Sequence, residues 1–157
     1  MGILLSGADI VDIALQTETR GEVFYREAVG LSTSPEAREL FTYLAEQELQ
    51  HKRIFANLGN AIIETEIEAA EWQEALDYIN ATVGQTFFAD NTPIRSIPAG
   101  STIREMIERA ISFEQQTLLF FYTLRDLVQP ANRTLIDSIV SEERSHVRRL
   151  AAMRGTL

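Results

Sequence analysis

Leu44-Ala45-Glu46-Gln47-Glu48-Leu49-Gln50-His51 and Glu142-Glu143-Arg144-Ser145-His146 decide the reading of this chain. Each holds a Glu followed three residues later by a His. On a helix, positions three apart lie on one face, about one turn from each other. The chain has two histidines, and both fall in such a pair. One Glu-x-x-His arises by chance in many helices, whereas two that absorb every histidine point to a shared purpose.

Working outward, each pair sits inside an apolar stripe. One stripe is Ala37, Phe41, Leu44, Glu48, His51, Phe55 and Leu58. The other is Ile136, Ile139, Glu143, His146, Leu150 and Met153. Steps of three and four keep each set on one helical face. Two further stripes carry a lone acid near the middle. Val11, Ala14, Glu18, Gly21, Tyr25 and Ala28 form one. Ile103, Ile107, Ala110, Glu114, Thr117, Phe121, Leu124 and Val128 form the other.

Four helices follow, in one domain spanning 1–157. Ser6 can cap the first, which is expected to end near Gly30. Ser34-Pro35 reads as N-cap and first residue of the second, with Gly59 just past its end at Leu58. Ser101 is expected to cap the third, and Pro130 to open the fourth, which ends near Met153. The links within each pair are short, which makes antiparallel neighbours. Between helices two and three lies a long connection, about 60–100. Its first half has Trp72, Leu76, Ile79 and Val83 at helical spacing. Its second half holds Asp90-Asn91, Pro93, Pro98 and Gly100 and reads as loop. The expected fold is all-α: a four-helix bundle with a long crossover between helices two and three, the layout of ferritin-like folds.

The halves resemble each other. Thirty positions separate Glu18 from Glu48, and 29 separate Glu114 from Glu143. Phe24-Tyr25 and Phe121-Tyr122 follow the first acid at nearly equal distances. This is the pattern of a duplicated hairpin with an approximate two-fold axis.

Four acids on core-facing stripes pose a physical problem. An unpaired buried carboxylate costs several kcal/mol or takes up a proton. The stripes carry no Arg or Lys to neutralise them. Two divalent cations would balance the four negative charges. A Glu from each of two helices plus Glu-x-x-His from the other two is a carboxylate-bridged two-metal arrangement of helix bundles. The candidate ligands are Glu18, Glu48, His51, Glu114, Glu143 and His146. Oxygen-rich ligation with one His per metal suits iron or manganese, whereas structural zinc sites more often use thiolates; two iron ions are expected, with manganese or zinc as possible substitutes. Ordinary surface Glu and capped His residues are the competing reading, which requires all four stripes to be rotated together. Glu46 and Glu142 are expected to face elsewhere. Glu22, four residues after Glu18, is a candidate for the edge of the site. Tyr25 and Tyr122 are candidates for hydrogen bonds to ligand carboxylates, against plain core packing, and Phe121 competes with Tyr122 for the inward position.

Composition narrows the alternatives. The formal charge of −9 argues against a nucleic-acid binder and against docking on an anionic membrane. The absence of cysteine excludes disulfides, thiolate zinc sites and iron–sulfur clusters. No apolar run reaches the roughly 18 residues of a membrane span. The start, Met1-Gly2-Ile3-Leu4-Leu5-Ser6, lacks the features of a signal peptide and matches the short myristoylation pattern at Gly2 only loosely. A cytoplasmic location is expected.

At Glu18-x-x-Gly21-x-x-Phe24-Tyr25, Leu44-Ala45-Glu46-Gln47-Glu48-x-x-His51 and Glu142-Glu143-x-x-His146 the chain resembles the rubrerythrin group of the ferritin-like superfamily, over nearly all its length. The resemblance implies that Glu48 and Glu143 bridge two metals, that Glu18 and Glu114 are terminal ligands, and that His51 and His146 each bind one metal. Tyr25 and Tyr122 sit where that group places hydrogen-bonding tyrosines. It also implies a di-iron redox protein that oxidises ferrous iron with peroxide or dioxygen, or else an iron-storage or iron-handling protein. A homodimer or higher homo-oligomer is expected. Two departures stand out. Without cysteine the chain has no rubredoxin iron site, so an electron donor would be a separate protein. Thr117 stands where rubrerythrins carry an extra Glu ligand, which makes the ligand set more symmetric and closer to bacterioferritin-type centres.

Overall fold

The structure is a computed structural model that describes residues 7–62, 70, 71, 73, 74, 77, 97–127 and 130–157. Four long helices carry the described chain: α1 (Gly7–Leu31), α2 (Pro35–Ile62), α3 (Ile103–Leu127) and α4 (Pro130–Thr156). Within the expected Trp72–Val83 helical stretch the described residues 73, 74 and 77 are helical, and Gln73 donates to Asp77 at 2.8 Å. The four apolar positions of that stretch, Ser6, Val128 and the Asp90–Pro93 loop lie outside the described residues.

The helix ends have local causes. Ser34 caps α2 by accepting the Ala37 N–H at 3.3 Å, and Pro35 occupies the first turn. At α3 the cap is Thr102 rather than Ser101. The Thr102 hydroxyl accepts the Glu105 N–H at 3.2 Å, and the Glu105 carboxylate accepts the Thr102 N–H at 2.7 Å. That reciprocal pair satisfies two free helix donors, which Ser101 is placed one residue too early to do. Ser101 instead donates to the Pro98 carbonyl at 2.7 Å. Gly59 does not stop α2, which continues to Ile62. Among the described glycines only Gly100, in the turn before α3, takes a positive φ, of 84°.

Helix α1 packs chiefly on α2, and α3 on α4. The pairs meet through α2 against α4 and α1 against α3. Two apolar blocks show the direction of each helix. One gathers Val11 and Ala14 of α1, Phe55 and Leu58 of α2, Phe120, Phe121 and Leu124 of α3, and Ile136, Ile139 and Val140 of α4. The other gathers Tyr25 and Ala28, Ala37, Phe41 and Leu44, Ile107 and Ala110, and Leu150. So α1 ends where α2 and α3 begin and where α4 ends. Helix α2 therefore finishes at the end of the bundle opposite the start of α3. The described ends Ile62 and Ile97 thus stand at opposite ends of the bundle, whose length is about 37 Å for a 25-residue helix. Ile97 is buried, and its N–H donates to Glu27 of α1 at 3.0 Å, which fixes the returning chain.

This is the ferritin-like four-helix bundle with its crossover between the second and third helices. Among the described residues no helix is long and apolar enough to cross a membrane. Between the apolar blocks lies a polar layer: Glu18, Glu48, His51, Glu114, Thr117, Glu143 and His146, all buried.

Candidate metal centre

The polar layer resolves into two overlapping quartets. Glu18, Glu48, His51 and Glu143 each offer one ligand atom within 4.8 Å of the others, and so do Glu48, Glu114, Glu143 and His146. Glu48 and Glu143 belong to both. All six candidate ligands named from the sequence are thus brought together, one acid from each of α1 and α3 and a Glu–His pair from each of α2 and α4. The helical period aims them inward, and the apolar blocks above and below keep water away.

Protein donors do not satisfy this layer. Both oxygens of Glu18 and of Glu48, and Oε1 of Glu143, are buried without hydrogen bonds among the described residues. His51 Nδ1 faces the cluster, 2.8 Å from Glu143 Oε1 and 3.4 Å from Glu18 Oε2. His146 Nδ1 lies 2.9 Å from Glu143 Oε2 and 3.5 Å from Glu114 Oε1. The imidazole rings stack with centroids 5.7 Å apart. Buried polar atoms normally find partners. Four converging carboxylates and two imidazoles fit a pair of divalent cations, which would supply both the missing bonds and the balancing charge.

Electrostatics without metal describe a strained cluster. Burial, then the charges of neighbouring carboxylates, holds Glu18 and Glu48 well above the ordinary carboxylate range. Burial and the charge of Glu143 push Glu114 up to about 8. Burial disfavours charge on the histidines, but the facing carboxylates outweigh it, Glu143 foremost for His51 and Glu114 foremost for His146, raising His51 to about 9 and His146 to about 10. Burial also works against ionised Glu143, yet the facing imidazoles of His146 and His51 prevail and lower it. Protons here do the work that cations would do better.

Tyr25 is fully buried, and its hydroxyl donates to Glu114 Oε1. Phe41 stacks on it at 6.1 Å, so the ring also packs the core. Tyr122, a candidate for a hydrogen bond to a ligand carboxylate, faces away from the layer. It is 37% exposed, with Arg125 over its ring at 5.8 Å, and has no place at the centre. Phe121 takes the inward position and stacks on Phe55 at 5.2 Å. Glu22 is also outside the ligand layer. It is held by Lys52 and by Arg26 at 2.7 Å, which holds its carboxyl below the ordinary range.

Two functional features escape the sequence reading. Glu142, expected to face elsewhere, accepts from His51 Nε2 at 2.7 Å. That bond keeps a proton on Nε2, so that Nδ1 is the nitrogen a metal would take. No spacing rule finds it, because the contact depends on α2 lying beside α4. Gly21 is the second. A Cβ there would sit 2.8 Å from Glu48 Cδ and 3.0 Å from Phe113, so only glycine lets the shared carboxylate lie against α1.

Comparisons with known proteins agree with this layout. The model of the rubrerythrin family matches residues 9–154. A solved structure from Thermotoga maritima, described as a ferritin-like diiron-carboxylate protein, aligns with a TM-score of 0.69. It covers 98% of this chain and 97% of that one at 24% identity, a likeness of fold. No curated protein matches.

Proposed function

The chain belongs to the rubrerythrin family, and from that premise we propose that it is a di-iron carboxylate redox protein that oxidises ferrous iron with hydrogen peroxide or dioxygen. The observation that carries this reading is the pair of quartets sharing Glu48 and Glu143. Two adjacent irons would supply two electrons to one O–O bond, so that peroxide and two protons become two waters as two Fe(II) become Fe(III). In this reading Glu48 and Glu143 serve both positions, Glu18 and His51 complete one, and Glu114 and His146 complete the other. Glu142 fixes the His51 ring. Tyr25 holds a proton against Glu114, and the apolar blocks exclude water. Manganese and zinc are substitutes that such a donor set accepts.

A separate protein would return the electrons, since the chain has no cysteine for a second iron site. A homodimer or higher homo-oligomer and a cytoplasmic location complete the proposal. Iron storage or handling is the second reading. It is favoured by Thr117, which leaves each position with one His, one terminal Glu and the two shared Glu, closer to bacterioferritin-type centres.

Stopped-flow absorbance of diferrous protein with each oxidant, followed by desalting and iron analysis, separates the two. The redox reading expects oxidation by peroxide and by dioxygen, with iron that stays bound and can be re-reduced. Iron that leaves the centre and builds a mineral supports storage, and inertness to both oxidants contradicts both readings. Thr117→Glu is expected to speed the peroxide reaction relative to that with dioxygen.

A further inference from the structure

Resting on that reading, we propose that the two metal positions are unequal: the one formed by Glu18 and His51 holds its ion more tightly than the one formed by Glu114 and His146, and Glu142 and Tyr25 set the difference. The ligand sets themselves are matched by the duplicated hairpin, so any inequality must come from what touches the ligands. The repeat allows that comparison residue by residue.

The first difference is at the histidines. Glu142 precedes Glu143 on α4 and accepts from His51 Nε2 at 2.7 Å. Its counterpart on α2, preceding Glu48, is Gln47. The Nε2 atom of His146 is buried without a hydrogen-bond partner among the described residues. A carboxylate on the far nitrogen orients the ring and makes the near nitrogen a stronger donor to metal. His51 has that support and His146 does not.

The second difference is at the terminal acids. Tyr25, seven residues after Glu18, donates its hydroxyl to Glu114 and draws electron density from that carboxylate. The residue seven after Glu114 is Phe121, which has no hydroxyl to offer Glu18. Both Glu18 oxygens are without hydrogen bonds among the described residues. Both differences favour the position of Glu18 and His51. Lys52 acts against it, since its charge reaches Glu18. That charge is largely answered by Glu22, which pairs with Lys52 and Arg26.

The test starts from the full chain loaded with two Co(II) ions and removes them with a competing chelator, read by visible absorbance without oxygen. Because Glu48 and Glu143 are shared, two ions would leave in two steps even from equal positions. The decisive readout is which substitution loosens the last ion. Glu142→Gln is expected to weaken retention of the last ion by roughly 10–100-fold. Tyr25→Phe is expected to leave that step unchanged and tighten the ion that leaves first by roughly 2–10-fold, the worth of one hydrogen bond. Gln47→Glu gives His146 the missing carboxylate and is expected to tighten the first-leaving ion as well, a gain that misfolding cannot mimic. The proposal is overturned if Glu142→Gln leaves the last ion unchanged and loosens only the first-leaving one, or if neither Tyr25→Phe nor Gln47→Glu tightens that ion. Failure of the unmodified chain to load cobalt would instead remove the di-metal reading on which the proposal rests.

Discussion

Glu143→Gln is expected to abolish metal binding at both positions, weakening each by roughly 100-fold or more. Removing a group one bond further from a metal already costs 10–100-fold. Glu143 belongs to both quartets and touches both imidazoles, His51 at 2.8 Å and His146 at 2.9 Å. The amide keeps the shape but loses the charge, and it offers one oxygen where two are needed. Glu18→Gln is the control, because Glu18 belongs to one quartet. It is expected to weaken one ion and leave the other bound. Metal content after equilibrium dialysis distinguishes the two variants. Similar losses from both would mean that Glu143 is not shared.

Metal removal is expected to reshape the dependence of stability on pH. Groups whose folded values are raised stabilise the fold below their ordinary values and lose that contribution as pH climbs through the raised ones. Glu114 moves from 4.5 to about 8, and Glu18 and Glu48 move up with it. His51 moves from 6.5 to about 9 and His146 from 6.5 to about 10. Glu143 moves down from 4.5 and acts oppositely, adding stability above its ordinary value and losing it as pH falls through the lowered one. The metal-free protein should therefore be most stable near about pH 5 and soften steadily up to about pH 10.

The loaded protein should behave in the opposite sense over the acid half of that range, because ligands must shed protons to hold metal. At neutral pH loss of the metal should cost about 3–5 kcal/mol, the scale of a buried ion pair that loses one partner. For a chain of this size that lowers Tm by roughly 10 °C. Thermal melts of both forms between pH 5 and 9 check this. Parallel curves would show that the carboxylates are not held together without metal.

The helical faces are legible because a period of 3.6 turns spacing into direction. The α1 stripe from Val11 to Ala28 and the α2 stripe from Ala37 to Leu58 are buried throughout, with the acids in register. Tyr122 shows how fine that reading is. Seven residues bring a side chain back to within about 20° of the starting face, whereas eight turn it about 80° away. Tyr25 is seven after Glu18 and points in, while Tyr122 is eight after Glu114 and points out. Glu142 is illegible in the sequence for a different reason. Its bond to His51 crosses from α4 to α2, and such a contact depends on which helices are neighbours. Gly21 is similar, since its closeness to Glu48 arises only when α1 and α2 pack. The cap of α3 turned on a single step, from Ser101 to Thr102, because Glu105 must stand three residues beyond the cap.

Anaerobic titration of the metal-free chain with Fe(II), with bound iron counted after desalting, tests the central claim most directly. The paired quartets predict a sharp endpoint at two ions per chain. An endpoint at one, saturation near zero, or uptake with no fixed limit would contradict a two-metal centre on Glu18, Glu48, His51, Glu114, Glu143 and His146.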